Sequence, residues 1–209
     1  MTKVLVLGAG GRIARRVIEM LAQQDVELTL LVRDAGRLEH APQDARVVEG
    51  DVLDSDLLAA TVRGQDIVYA NLAGDLDTQA RRIVETMEAE GVQRLIFITA
   101  LGIYDEVPGA FGEWNRQQIG SMLKPYRAAA DIIEASSLDY TILRPAWLTD
   151  DDEIDYEVTG RTEPFKGTEV SRKSVAALVG ELVGAPDTRV RANLGVNKPG
   201  VAGDRPSFM

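Results

Sequence analysis

The sequence contains no cysteine and a single histidine, His40. Without thiols there is no disulfide, no thiolate nucleophile, no zinc–thiolate centre and no iron–sulfur cluster, and nothing points to an oxidising compartment. A Ser-His-Asp triad or a multi-histidine metal site would have to be built around His40 alone. It sits in Glu39-His40-Ala41-Pro42 and reads as a solvated loop residue. Long apolar runs are also missing: none approaches the ~18 residues of a membrane span. Val4-Leu5-Val6-Leu7 runs straight into glycines, too short for a secretory core. Basic charge is scarce. Thirty-three acidic against 23 basic residues give a net charge of -10, which repels nucleic acid and anionic lipid at long range. The expected setting is the cytoplasm, with a small-molecule substrate, no nucleic-acid or membrane partner, no metal, and a monomer or a homodimer.

What is present is an alternation of short β-rich apolar runs with helical patterns over 209 residues. That alternation predicts an α/β fold: a single Rossmann-type, doubly wound parallel sheet with helices on both faces, spanning 1–209 as one domain. Predicted strands are Lys3 to Leu7, Glu27 to Val32, Arg46 to Val48, Asp66 to Ala70, Leu95 to Thr99, Tyr140 to Leu143 and Arg191 to Gly195. Ile13, Val17 and Leu21 recur at helical spacing while Arg12, Arg15, Arg16 and Glu19 fall elsewhere on the turn, so the first crossover is an amphipathic helix. Asp54 to Arg63, Asp77 to Glu90, Tyr126 to Ser136 and Ser171 to Val183 read likewise, with Gly64, Gly91 and Gly184 as stops. The segments at about 101–124 and 146–170 read as irregular insertions after strands. Open α/β sheets bind ligands beyond the carboxyl ends of their strands, which makes those insertions the expected walls of a substrate pocket.

Chemistry concentrates at strand ends. Gly8-Ala9-Gly10-Gly11-Arg12-Ile13-Ala14 joins the first strand to the first helix, where a dinucleotide pyrophosphate would sit. Gly8 permits the tight turn, Gly10 and Gly11 admit the phosphates to the backbone, and free N–H groups at the helix start, Arg12 and Ile13, meet the negative charge. The second strand ends Leu31-Val32-Arg33-Asp34. Arg33 with Arg12 would flank an adenosine 2′-phosphate and favour NADP(H) by charge-assisted bonds. The competing reading pairs Arg33 with Asp34 or gives Asp34 the ribose 2′-hydroxyl of NAD. After the third and fourth strands, Asp51-Val52 and Asn71-Leu72-Ala73 lie at the same edge. Asp51 reads equally as a cap over adenine or as a turn residue, while Asn71 and Ala73 leave room for ribose and nicotinamide.

Taken together, the chain resembles the short-chain dehydrogenase/reductase superfamily, and more narrowly its atypical, NmrA-like NAD(P)H-binding branch. The likeness rests on Gly8 to Ala14, Leu31-Val32-Arg33, Gly91 to Thr99, Leu138 to Pro145 and Val170 to Ala176, and runs from about Lys3 to Pro186. Active members of the wider superfamily use a Tyr-x-x-x-Lys pair after the fifth strand. Aligning Ala128-Ala129-Ala130-Asp131 with that helix puts Leu123 at the Tyr position and Arg127 at the Lys position. Arginine does not shuttle a proton at neutral pH. Thr99 stands where the resemblance implies a substrate-polarising hydroxyl, and Tyr104 and Tyr126 are further hydroxyl candidates.

Hydride transfer to a flavin, quinone or conjugated carbonyl needs mainly stacking and orientation, for which Trp114, Trp147 and Phe111 are available. Arg144 reads as a structural ion pair and Asp150-Asp151-Asp152-Glu153 as a solvated loop. The resulting expectation is an NADP(H)-dependent oxidoreductase acting on a small planar acceptor. A non-catalytic NADP(H)-sensing regulator and an epimerase-like enzyme are the alternatives, the latter disfavoured by the little sequence that follows the sixth strand.

Overall fold

A computed structural model describes residues 1–38 and 41–209, the side chain of Arg37 excepted, so His40 lies outside the described residues. Strands β1 (Thr2–Leu7), β2 (Val26–Val32), β3 (Arg46–Glu49), β4 (Ile67–Ala70), β5 (Arg94–Ile98) and β6 (Asp139–Pro145) form the parallel core of the sheet. β7 (Trp147–Thr149) and β9 (Glu169–Ser171) make a separate two-stranded ribbon, while β8 (Glu157–Thr159) and β10 (Ala192–Asn197) complete the main sheet. The order is β3-β2-β1-β4-β5-β6-β10-β8, with only β8 antiparallel. Leu7 is level with Leu31 on one side and Ala70 on the other. The carboxyl ends of β1, β2 and β4 thus form one edge, at the switch point between β1 and β4 where such sheets open a crevice.

Fully buried strands carry continuous apolar runs because helices cover both faces. Helices α1 (Arg12–Leu21) and α5 (Arg172–Gly184) pack over one face through Ile13, Val17, Leu21, Val175 and Val179. On the other lie α2 (Ser55–Val62), α3 (Leu76–Glu90) and most of α4 (Gly109–Ala135), seating Leu58, Ile83, Met87, Ala130 and Ile133.

The expected insertion at 101–124 is corrected by α4, which is continuous from Gly109 through Pro125 to Ala135. Gly109, Gly112, Gly120 and Pro125 are all poor helix formers, so local preference argues against the helix. Burial of Phe111, Leu123, Ala129 and Ile133 overrides it. Pro125 cannot bond the carbonyl of Ser121, and Ser121 is exposed to solvent. The amino-terminal half of α4 reaches past the sheet edge, where Phe111 joins the core on the α1 side. The segment 146–170 is likewise not wholly irregular, since it contains β7 and β8 and leads into β9.

Beneath that edge lies a buried ion pair. Arg144, wholly inaccessible, binds Glu106, and its Nε and Nη2 donate to Asn193 Oδ1 at 2.7 Å and the Gly160 carbonyl at 3.0 Å. The Glu106 carboxylate also accepts from the N–H groups of Gly102 and Tyr104, each at 2.9 Å. β6, β10 and the 101–108 loop are therefore tied through one guanidinium. Removing one member of a buried pair strands the other charge at a cost of about 3–5 kcal/mol. Arg144→Met should lower the unfolding free energy by about that amount in urea titration, and the double variant with Glu106→Met should lose less than the sum of the single variants.

Candidate functional site

Two clefts open along the carboxyl edge of the sheet. The first, about 370 Å³, lies over the ends of β1, β2 and β4 and is lined by Gly8, Gly10, Gly11, Arg12, Arg33, Asp34, Asp51, Val52, Asn71, Ala73 and Gln79, among others. Its floor needs glycine. Gly8 has φ +78°, and a Cβ there would stand 2.3 Å from the Asn71 carbonyl oxygen; a Cβ on Gly11 would stand 2.4 Å from Asn71 Nδ2. Gly11 is the N-cap of α1, no side chain caps that helix, and its first turn carries no acid. The orphan N–H groups of that turn lie at the first cleft, at the positive end of the helix dipole, a placement suited to an anion.

Arg33 is exposed at the end of β2 and makes no ion pair or hydrogen bond among the described residues. Asp34 does not pair with it: its Oδ1 accepts from Gly36 N at 3.0 Å and caps the short turn Ala35–Arg37. Asp51 Oδ1 accepts from Leu53 N at 2.9 Å, so it closes a turn while it lines the cleft. Asp54, not Asp51, caps α2. Gln79 was not foreseen. It is buried on the first cleft, its Nε2 donating to the Ala73 carbonyl at 3.2 Å and its Oε1 lacking a partner. A buried, unpartnered acceptor facing a cleft marks a place for a donor. The only hint in the sequence is a polar residue amid the apolar positions Leu76, Ala80 and Ile83.

The second cleft, about 510 Å³, adjoins the first: Arg12, Asn71 and Leu72 line both. Its walls are mostly apolar, with Ile13, Ile98, Ile119, Trp147, Leu148 and Phe208 beside Thr99, Tyr126 and Arg172. Ile13, whose N–H is expected at the pyrophosphate, is among the residues that line this cleft. Trp147 is held from behind by Trp114, with ring centroids 4.7 Å apart, and its indole N–H donates to Asn115 Oδ1 at 2.9 Å. Phe111 stacks on Trp114 farther from the cleft. Thr99 is buried, and its hydroxyl donates to the Leu143 carbonyl at 3.1 Å. Burial pushes the half-buried Tyr126 phenol above its ordinary range, and its hydroxyl has no partner among the described residues.

Phe208 is carried in by the segment after β10. Ser207 donates through both its backbone N–H (2.7 Å) and its hydroxyl (2.9 Å) to the buried Glu169 carboxylate on β9. Nothing in the sequence signals that return.

Tyr104 does not join Thr99 and Tyr126. It lies in a separate depression with Glu106, Arg127 and Arg161, its hydroxyl bonded to Glu134 (3.1 Å) and Asn193 (2.8 Å). Burial, with help from Glu134, raises its pKa to about 12. Leu101 still lines the second cleft, but beyond it the Glu106 carboxylate binds the N–H groups of Gly102 and Tyr104 and ties this part of the loop to Arg144. Arg127, at the position of the superfamily lysine, sits over the Tyr104 ring and binds Asp131 at 2.8 Å, and Leu123 is buried in the core. The acidic run is less free than a solvated loop: Asp150 binds Arg12 and Arg172, Asp152 binds Lys173, and Glu153 binds Lys198.

A glycine cradle, an uncapped helix start and an orphaned acceptor suit a dinucleotide, and a profile of the NAD(P)H-binding family matches residues 8–186. The chain belongs to that family. Within it the protein is an atypical short-chain dehydrogenase/reductase, of an NAD(P)H-binding oxidoreductase type. A Rossmann-fold NAD(P)-binding family protein from Shigella flexneri is 50% identical with a TM-score of 0.86, both chains being covered in full. A short-chain dehydrogenase/reductase from Veillonella parvula, crystallised in complex with NADP, is 28% identical over 99% of each chain with a TM-score of 0.91. An uncharacterized sugar epimerase of Bacillus subtilis is 29% identical over 192 residues, 83% of this chain and 79% of the relative. Among the described residues, no helix is long and apolar enough to cross a membrane.

The unpaired Arg33 at the adenosine end of an NAD(P)H-binding cleft sets a prediction on cofactor choice. Arg33→Ala should weaken NADP+ binding about ten-fold or more, the worth of one lost charge-assisted contact. It should leave NAD+ binding unchanged, both read by calorimetry.

Proposed function

We propose that the protein passes hydride from NADPH to a small planar acceptor, a flavin, quinone or conjugated carbonyl. The observation that carries this reading is the junction of the two clefts at Arg12, Asn71 and Leu72, which joins a dinucleotide cradle to an apolar slot. When bound, the cofactor supplies the hydride from its nicotinamide ring. The chain's own residues orient and protonate. Trp147, fixed by Trp114 and Asn115, offers a rigid aromatic face, and Ile119, Leu148 and Phe208 exclude water around it. Holding the acceptor plane against the cofactor is the main demand of such a transfer.

Reduction of a carbonyl or quinone also takes up a proton. Tyr126 is the hydroxyl of the second cleft that is open to give one, because the Thr99 hydroxyl is committed to Leu143. Burial keeps the Tyr126 phenol protonated through neutral pH, which suits an acid and not a base. Epimerase chemistry of the kind named for the Bacillus relative would need a base. Among the described lining residues of the second cleft there is no carboxylate, lysine or histidine. That absence supports transfer to a conjugated acceptor.

Incubation with NADPH and a panel of flavins, quinones and conjugated carbonyls, followed at the nicotinamide absorbance band, should show turnover. No turnover across the panel would overturn the proposal. Tyr126→Phe should lower kcat for quinone and carbonyl acceptors by about a hundred-fold, the usual worth of a positioned acid, with NADPH affinity kept. The wild-type rate should stay level through neutral pH and fall only above the ordinary tyrosine pKa of about 10.

A further inference from the structure

We propose that the acceptor bears an anionic substituent, a phosphate or carboxylate, received by the open edge of the Arg172 guanidinium. The inference rests on the planar-acceptor reading above and narrows its substrate class. Arg172 is the first residue of α5, and its side chain is only 14% exposed. All three of its hydrogen bonds leave from Nη1, to the carbonyls of Leu148 (3.2 Å) and Thr149 (3.1 Å) and to Asp150 Oδ1 (2.9 Å). Nε and Nη2 have no acceptor among the described residues, while the side chain lines the second cleft. That Nε–Nη2 edge is the fork with which arginine grips a carboxylate or phosphate through two parallel bonds.

The local charge asks for the same partner. Arg12 lines the second cleft as well, and its only ion pair among the described residues is with the same Asp150, through Nη2. Two guanidiniums therefore share one carboxylate, and that carboxylate is 57% exposed and outside the lining of the cleft. A net positive charge thus faces a mostly apolar slot in a protein of net charge -10. Burial, and then the charge of Arg12, lower the Arg172 proton affinity, as expected of a cation short of a counter-ion. The cofactor does not account for it. Arg12 stands at the seam with the dinucleotide cleft, but Arg172 lines the second cleft alone.

The test compares matched probes on the protein saturated with NADP+: FMN against riboflavin, and 1,4-naphthoquinone-2-sulfonate against 1,4-naphthoquinone, all by calorimetry. The anionic member of each pair should bind about ten-fold tighter or more, the least that a charge-assisted fork contributes. Arg172→Gln should bring the two members to about equal affinity and leave NADP+ binding unchanged. Arg172→Lys, which keeps the charge without the fork, should retain part of the preference. Asp150→Asn, an exposed change that releases both guanidiniums toward the cleft, should widen it.

Equal affinities in the wild type, a preference that survives Arg172→Gln or one that shrinks in Asp150→Asn would each overturn the proposal. So would a loss of NADP+ affinity in Arg172→Gln as large as the loss for the anions, which would assign the guanidinium to the cofactor. Failure of all four probes to bind would overturn the planar-acceptor reading together with this one. Equal binding of neutral and anionic members would overturn this one alone.

Discussion

The close approach of the Gly8–Gly11 turn to Asn71 is the constraint on which the rest of the site depends. Two loops from adjacent strand ends interlock only because neither glycine has a side chain: a methyl at either position would stand within 2.4 Å of an Asn71 atom. Their contact brings the ends of β1 and β4 together and aims the first turn of α1 across the edge of the sheet. It also makes Asn71 part of both clefts. The glycines are thus a statement about the distance between two loops as much as about backbone freedom.

A second constraint, Arg144, organises the carboxyl end of β6 without lining either cleft. Its guanidinium gathers Glu106, Asn193 and the Gly160 carbonyl, so that the loop after β5, the strand β10 and the segment after β8 close around one buried charge. The short ribbon of β7 and β9 is the complementary device. Trp147 and Leu148 of one strand line the second cleft, Glu169 of the other anchors Ser207, and Ser171 caps the helix that begins with Arg172. Three different jobs are done by six residues of chain because the pairing register sets them side by side.

Much of the cofactor half was legible in the sequence because its signals are local. The glycine turn, the strand ends at Arg33, Asp51 and Asn71, and the amphipathic spacing of α1 each lie within one short stretch, and the family match agrees with the fold and cofactor they imply. The second cleft was less legible because it is assembled from afar. The amino-terminal half of α4 is hidden by glycines and a proline whose cost is met by tertiary burial. β7, β8 and β9, at three residues each, are too short to display a period. Tyr104 lies close to Thr99 in sequence, but the direction of its loop is decided by a salt bridge to a residue on another strand. Arg172 stands inside a stretch that carried the family resemblance, and its open edge becomes visible only when its three bonds are seen to leave from one nitrogen.

The anchoring of Ser207 to Glu169 also bears on how the molecule matures as it leaves the ribosome. The turn, strands and helix that line the first cleft all lie within the first hundred residues or so of chain, whereas the Phe208 wall of the second cleft comes from a segment made only after β10. The nascent chain therefore owns the parts of its first cleft well before it owns a complete second one, and the buried carboxylate of Glu169 waits for its closing clip until translation has passed position 207.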